Sequence, residues 1–293
     1  MDPLQDAIDK ARSRRDGAIG QTRSPGQSQP EDSAADKKLN LEVQESRETG
    51  TPAEQEREQE GVGPPSPAQV EYTASRVVSL TPAVLADNRV IAGDHRDSRA
   101  EAYRQLRGQV LSEMARRNWN TLSITSAHEN AGKTLTAVNL AISISQEMNQ
   151  TVMLVDLDLR QPTVHKTLGF DVEKGLLDRV VGGEPLENIL VNPSLPRLII
   201  LPGNQCEDYS SELLSSPEMK ALMRDIVGRY PDRIILFDLP PLLRNDDAMV
   251  FAQYTDACLL VVEDGVTRAS DLERSLQLLQ SAHILGTVLN KTL

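Results

Sequence analysis

The chain has 293 residues, 39% of them apolar, and a formal net charge of −12. That length admits one large domain or two small ones, and so low an apolar share leaves part of the chain without a core to bury. The acidic balance argues against a nucleic-acid partner held on a basic surface.

From Met1 to Asp6 the chain is acidic and has no apolar stretch of the kind that heads a signal peptide. Its longest apolar runs, such as Ala257–Val262, have strand length and are far too short to span a bilayer. The expected location is therefore the cytoplasm, with recruitment to the inner face of the membrane by a partner. Cys206 and Cys258 lie far apart without metal-type spacing, and read as reduced thiols.

Residues 2–15 pattern as a short amphipathic helix, with Leu4, Ile8 and Ala11 on one stripe and Lys10, Arg12, Arg14 and Arg15 at its basic end. It suits docking on a protein or a lipid surface, and equally a marginal solvated helix. From 17 to about 75, Gly, Ser, Pro, Gln and Glu dominate. Between Glu31 and Glu60 there are ten acidic residues against Lys37, Lys38, Arg47 and Arg57. This composition predicts a disordered acidic tether, so residues 1–78 are set apart from a folded domain at 79–293.

Beyond Val77 the pattern is globular. Ser98-Arg99-Ala100-Glu101 has the form of a capping box, followed by the stripe Tyr103, Leu106, Val110 and Met114. Strands are predicted at Thr121–Ser126, Val152–Asp156, Leu198–Leu201, Ile234–Asp238, Ala257–Val262 and Leu285–Asn290. Helices fall between them, at Gly132 to about Met148, Pro217–Gly228 and Ala269–Ser281. Alternating strands and helices imply an α/β fold with three α/β/α layers and a mostly parallel, doubly wound sheet. Continuous apolar strands such as Ile234-Ile235-Leu236-Phe237 suit a sheet covered on both faces.

Three stretches carry chemistry. Ala127-His128-Glu129-Asn130-Ala131-Gly132-Lys133-Thr134 joins a strand to a helix and ends as a P-loop ends. Backbone N–H groups at a helix start cradle phosphate oxygens. Lys133 would reach the β and γ phosphates of ATP, and the Thr134 hydroxyl would ligate Mg²⁺. Asn130 stands where a second glycine is common, and Asn tolerates positive φ better than most residues.

The second stretch is Asp156-Leu157-Asp158 at the end of a strand, whose carboxylates share one face. At the carboxyl edge of a doubly wound sheet they could hold Mg²⁺ and activate a hydroxyl or water, or merely open a solvated loop. The third is Ile234-Ile235-Leu236-Phe237-Asp238, a Walker-B pattern that puts Asp238 within reach of the metal. His95, His165 and His283 show no metal or triad spacing, and Trp119 reads as packing.

Taken together, these motifs resemble those of the bacterial tyrosine kinases of capsule and exopolysaccharide synthesis, relatives of the MinD/ParA ATPases. Asp156, Asp158, Arg160 and Pro162 match an Asp-x-Asp-x-Arg-x-Pro motif, and Asp238, Pro240 and Pro241 match Asp-x-Pro-Pro. The stretches Ser211–Ser216 and Gly286–Lys291 are also similar. His128 stands where MinD/ParA proteins have a lysine, which favours the kinase branch.

The resemblance spans roughly 98–291. It implies phosphoryl transfer from Mg·ATP, with Lys133, Asp156 and Asp158 as catalytic residues. Thr134, Asp156 and Asp238 would hold the metal. Ala127, Asn130, Ala131, Gly132, Lys133, Thr134, Leu135 and Asn290 would bind the nucleotide. A membrane polysaccharide co-polymerase of the Wzz chain-length type is the implied activator.

Glu101, Arg104 and Arg107 match a Glu-x2-Arg-x2-Arg motif that implies homo-oligomerisation. The same spacing also serves a solvated stripe with a local ion pair. The family's clustered acceptor tyrosines have no counterpart among Tyr72, Tyr103, Tyr209, Tyr230 and Tyr254. An ATPase switch that hydrolyses ATP, and a non-catalytic nucleotide-gated scaffold, are the alternatives.

Overall fold

The computed structural model describes residues 75–293 apart from His95, Glu207, Tyr230, Pro231 and Leu293. The N-terminal helix and the tether expected from the sequence lie outside the described residues.

Among the described residues eight strands form one sheet: β1 (Arg76–Val77), β2 (Thr121–Ser126), β3 (Thr151–Asp156), β4 (Val191–Asn192), β5 (Leu198–Leu201), β6 (Arg233–Asp238), β7 (Ala257–Glu263) and β8 (Ile284–Asn290). Their spatial order is β1-β4-β5-β3-β6-β2-β7-β8. The β4–β5 pair is antiparallel and the other pairs are parallel. The sheet thus starts at Arg76, ahead of the boundary at 79, because Arg76 and Val77 pair with Val191 and Asn192.

The central strands are buried on both faces, and alternate residues supply two cores. Met153, Val155, Ile235 and Phe237 point to one core. Val152, Leu154, Ile234 and Leu236 point to the other. Helices α1 (Pro82–Asp87), α2 (Ala100–Arg117), α3 (Lys133–Ser145) and α4 (Val164–Leu168) cover the second face. The first face is covered by α5 (Leu176–Val180), α6 (Ser210–Ser215), α7 (Pro217–Arg229), α8 (Asp247–Ala252) and α9 (Ala269–Leu278). This is a three-layer α/β/α arrangement around a mostly parallel sheet.

Helix α2 opens differently from the capping box expected at Ser98. No side-chain cap bond forms there. Instead the Asp97 carboxylate accepts from the Arg99 backbone N–H at 2.8 Å and pairs with the Arg99 guanidinium at 2.6 Å. Asp97 has the stronger acceptor, so it takes the turn that Ser98 could have held.

The helix that follows the P-loop, α3, is buried almost all round, which fits its run Ala137-Val138-Asn139-Leu140-Ala141-Ile142. The polar member, Asn139, is fully used. Its Oδ1 accepts from Ile91 and Ala92 N–H at 2.8 and 2.9 Å, and its Nδ2 donates to the Arg89 and Leu135 carbonyls at 3.3 and 3.0 Å. A buried amide satisfied on all sides fixes the 89–92 segment against α3.

Strand β6 lies between β2 and β3, so the carboxyl ends of the three motif-bearing strands are neighbours. Chain order reverses here: β3 follows β2 on one side of β6, while β7 lies on the other side of β2. Ligand sites of doubly wound sheets form at such reversals.

Candidate active site

The P-loop leaves β2 and enters α3 through two backbone conformations that its residue types permit. Asn130 has φ 61° and Gly132 φ 96°, both in the left-handed region. Asn130 therefore does the conformational work of the glycine common at its position. At Gly132 a Cβ would also lie 2.0 Å from Asn290 Nδ2. That amide donates to the Ala131 carbonyl at 2.9 Å, so the end of β8 braces the loop from outside. Ala127 and Ala131 are buried and Leu135 is half-buried in the first turn of α3.

Lys133 folds into a cluster of carboxylates. Its Nζ stands 2.8 Å from Asp158 Oδ2, 3.6 Å from Asp238 Oδ1, and donates to Thr134 Oγ1 at 3.1 Å. Thr134 Oγ1 in turn donates to Asp238 Oδ2 at 2.6 Å. Asp156 is held by backbone donors: Thr163 and Val164 N–H to Oδ2, each at 3.0 Å, and Asp158 N–H to Oδ1 at 3.2 Å. Asp158 Oδ1 accepts from Gln161 N–H at 3.1 Å. The structure thus gathers Lys133, Thr134, Asp156, Asp158 and Asp238 at one place. Thr163, one residue past the motif's proline, was missed from the sequence; its hydroxyl donates to Thr134 Oγ1 at 3.2 Å.

Three carboxylates facing one ammonium leave an excess of negative charge in a dry site. Burial, and then the neighbouring Asp238, push the Asp156 carboxyl up to about 8, against the pull of the Val164 N–H and Lys133. Burial likewise raises Asp238, which Lys133 and the Thr134 hydroxyl only partly offset. Burial alone would lower Lys133, but Asp238, Asp158 and Asp156 outweigh it and hold the ammonium above its ordinary range. Asp238 Oδ1 is buried and accepts no hydrogen bond from the described residues. A buried carboxylate oxygen without a donor, beside a threonine hydroxyl, is chemistry that a hard divalent cation such as Mg²⁺ takes. Thr134 and Asp238 fit the metal, while among the described residues no three acidic, histidine or cysteine side chains already stand together as a metal-binding group.

A cavity of ≈ 500 Å³ adjoins the loop, lined by Gly132, Leu135, Thr136, Tyr103 and Asn290 among others. It lies between α2, the first turn of α3 and the end of β8.

The structure separates the three residues of the self-association motif. Arg104 Nε pairs with Glu101 at 2.8 Å on the outer side of α2. Arg107 turns inward: it donates to the Ser143 carbonyl at 3.0 Å and pairs with Glu147 at 2.8 Å. Arg160 is also engaged within the chain, with Asp247 Oδ2 at 3.0 Å. Asp247 is fully buried and accepts from the Ser210 and Ser211 hydroxyls at 2.6 and 2.7 Å. Asp247 has no motif around it and could not be found from spacing.

No protein-family model matches the chain. Tyrosine-protein kinase YwqD of Bacillus subtilis is 30% identical over 193 residues, 65% of this chain and 80% of YwqD. The chain belongs to the bacterial tyrosine-protein kinase family. Tyrosine-protein kinase etk of Escherichia coli is 31% identical over 196 residues, 66% of this chain but 27% of the larger etk protein. The solved kinase domain of Escherichia coli ETK superposes with a TM-score of 0.64 at 28% identity, covering 73% of this chain and 88% of that domain. Kinase-family likeness thus covers between 65% and 73% of the chain in these comparisons.

Proposed function

We propose that the protein transfers the γ-phosphoryl group of ATP to a tyrosine hydroxyl, within the synthesis of a capsule or exopolysaccharide or its control. The observation that carries this reading is the meeting of Lys133, Thr134, Asp156, Asp158 and Asp238 at the carboxyl ends of β2, β3 and β6. The domain expected at 79–293, together with the edge strand that begins at Arg76, forms the catalytic unit.

The phosphates sit against the N–H groups of Ala127 to Leu135, with Asn130 and Gly132 giving the backbone its turn. The nucleoside occupies the cavity beside Gly132, Leu135 and Asn290. Lys133 leaves its carboxylate partners to meet the β and γ phosphates. Thr134, Asp156 and Asp238 would hold Mg²⁺, which would supply charge neutralisation for the phosphates.

The acceptor oxygen bonds to the γ-phosphorus while the bond to the oxygen of ADP breaks. The hydroxyl proton passes to Asp158, the more accessible of the strand-end pair at 5% exposure against 0% for Asp156. Among the described residues no helix is long and apolar enough to cross a membrane. The partner assigned here is a membrane polysaccharide co-polymerase of the chain-length type, as activator. Self-association through Glu101 and Arg104 would bring one copy's site to another.

The test is incubation with labelled ATP and Mg²⁺, with and without that membrane partner, measuring released phosphate and protein-bound phosphotyrosine, with Lys133→Met as control. Phosphotyrosine that Lys133→Met abolishes is the expected result. Phosphate released without phosphotyrosine would replace the kinase with an ATPase switch. Neither binding nor turnover would leave a scaffold.

A further inference from the structure

Beside the P-loop, on the side of Asp158, two clefts share Arg244 and Asn245 as a common wall. One, of ≈ 190 Å³, is lined by Arg160, Gln161, Arg244 and Asn245. The other, of ≈ 250 Å³, adds Leu242, Met249, Arg274 and Leu278.

Two contacts tie this wall to the reacting centre. Gln161 N–H donates to Asp158 Oδ1 at 3.1 Å, and Leu243 N–H donates to the Ala127 carbonyl at 3.1 Å. Arg244 also pairs with Glu129 of the P-loop.

The lining has two characters. Leu242, Met249 and Leu278 are apolar, and Met249 is 39% exposed although it is a large hydrophobe. Arg160, Arg244 and Arg274 are cationic, against the lining carboxylate of Asp246, whose Oδ1 is held by the Ser211 hydroxyl at 2.6 Å. Arg160 and Arg244 are partnered by Asp247 and Glu129, while Arg274 is exposed on α9. Asn245 Oδ1 accepts from Asp247 N–H at 3.2 Å, but its Nδ2 is buried without an acceptor. A buried amide donor lacking an acceptor costs free energy in the wall itself. Among the described residues Arg274 forms no ion pair, so in a chain of net charge −12 it is the lining cation left to meet a ligand carboxylate.

We propose that this groove holds the acceptor: an extended acidic peptide segment with an apolar side chain near its tyrosine. The apolar residue packs on Leu242, Met249 and Leu278. The acidic residues face Arg274 and Arg244, and the tyrosine reaches Asp158 past Gln161. This assignment rests on the phosphoryl-transfer reading above.

The test uses the full chain and a fluorescein-labelled peptide with glutamates and one leucine around a tyrosine, followed by anisotropy. The same peptide with lysines in place of the glutamates is the control. The wild type should bind the acidic peptide and not the basic one, and added salt should weaken binding. Arg274→Glu should raise Kd at least tenfold, and Met249→Glu severalfold. Both positions are exposed, so thermal midpoints and peptide-free ATP turnover should stay at wild-type values. No binding of the acidic peptide by the wild type, or binding by both variants within twofold of the wild type, would overturn the groove. Peptide bound through Arg274 without any phosphotyrosine would overturn the kinase reading and leave the groove standing. Phosphotyrosine formed with a peptide KM that neither variant moves would do the reverse.

Discussion

Gly132 is the residue where the backbone and a neighbouring side chain make separate demands. Its φ of 96° would strain any other residue, and a Cβ would collide with Asn290 Nδ2. Gly132→Ala should therefore weaken nucleotide binding more than tenfold, checked by titration with a fluorescent ATP analogue. Asn290→Ala added to it removes the collision but not the strain, about 1–3 kcal/mol for a non-glycine residue held there, so the double variant should recover only part of the loss. Asn130 makes the complementary point. Its positive φ was legible from residue type alone, whereas the Asn290 brace needed the fold. Nothing in the spacing of positions 131 and 290 predicts a hydrogen bond between them. The carboxylates add a pH dependence. Asp156, pushed up to about 8, stays protonated in the fold over a range where the unfolded chain ionises. Stability from this group is thus greatest at low pH and falls as pH rises from about 4 to about 8. Raised Asp238 acts in the same direction. Without Mg²⁺, the thermal midpoint of the wild type relative to Asp156→Asn should decline across that window and level off above it. A difference that rises with pH would refute the assignment.

At the scale of elements, the strands were the most readable part, because burial on both faces writes continuous apolar runs. The short helices α4, α5, α6 and α8 were not, since five- or six-residue helices are held by packing rather than by periodicity. The edge pair β1 and β4 was missed for a related reason: two residues cannot display an alternation. Helix α2 shows how far a motif can be read. Its polar stripe Glu101, Arg104 and Arg107 is uniform in sequence, yet the fold divides it. Arg104 and Glu101 form an exposed pair, worth about 0.2–1 kcal/mol at most. Arg107 is largely covered and joins α2 to the end of α3 through the Ser143 carbonyl and Glu147. Arg107→Ala should cost about 1.5–3 kcal/mol in urea denaturation, the range for hydrogen bonds to charged groups, while Arg104→Ala costs under about 1. Equal losses would mean that Arg107 is not a staple between the helices. The two variants also separate folding from self-association: Arg104→Ala tests the interface without loosening the helix pair.

At the scale of the whole molecule, the sheet's reversal explains why three distant motifs meet. β2, β3 and β6 are apart in sequence but adjacent in space, and their carboxyl ends deliver a P-loop and three carboxylates to one spot. That meeting was legible because the motifs belong to a familiar order. The groove lined by Arg160 and Arg244 was not, because its residues follow strand ends without any periodic signal. In the structure as it stands, Lys133 neutralises the carboxylates that Mg²⁺ would otherwise neutralise. Mg·ATP brings both a cation for the carboxylates and phosphates for the lysine, so nucleotide and metal should bind cooperatively. Stabilisation by a ligand present at a hundred times its Kd is about 2.7 kcal/mol, and each kcal/mol shifts the midpoint of a domain this size by about 2–4 °C. Differential scanning fluorimetry should accordingly show a rise of about 5–11 °C with Mg²⁺ and ATP together. ATP alone should give less, since its phosphates would then face Asp156, Asp158 and Asp238 without a cation between them. In Lys133→Met the carboxylates lose the ammonium that faces them, so Mg²⁺ alone should stabilise the variant more than it does the wild type, while the gain on adding ATP shrinks. A wild type equally stabilised by ATP with and without Mg²⁺ would show that Asp156 and Asp238 do not hold the metal.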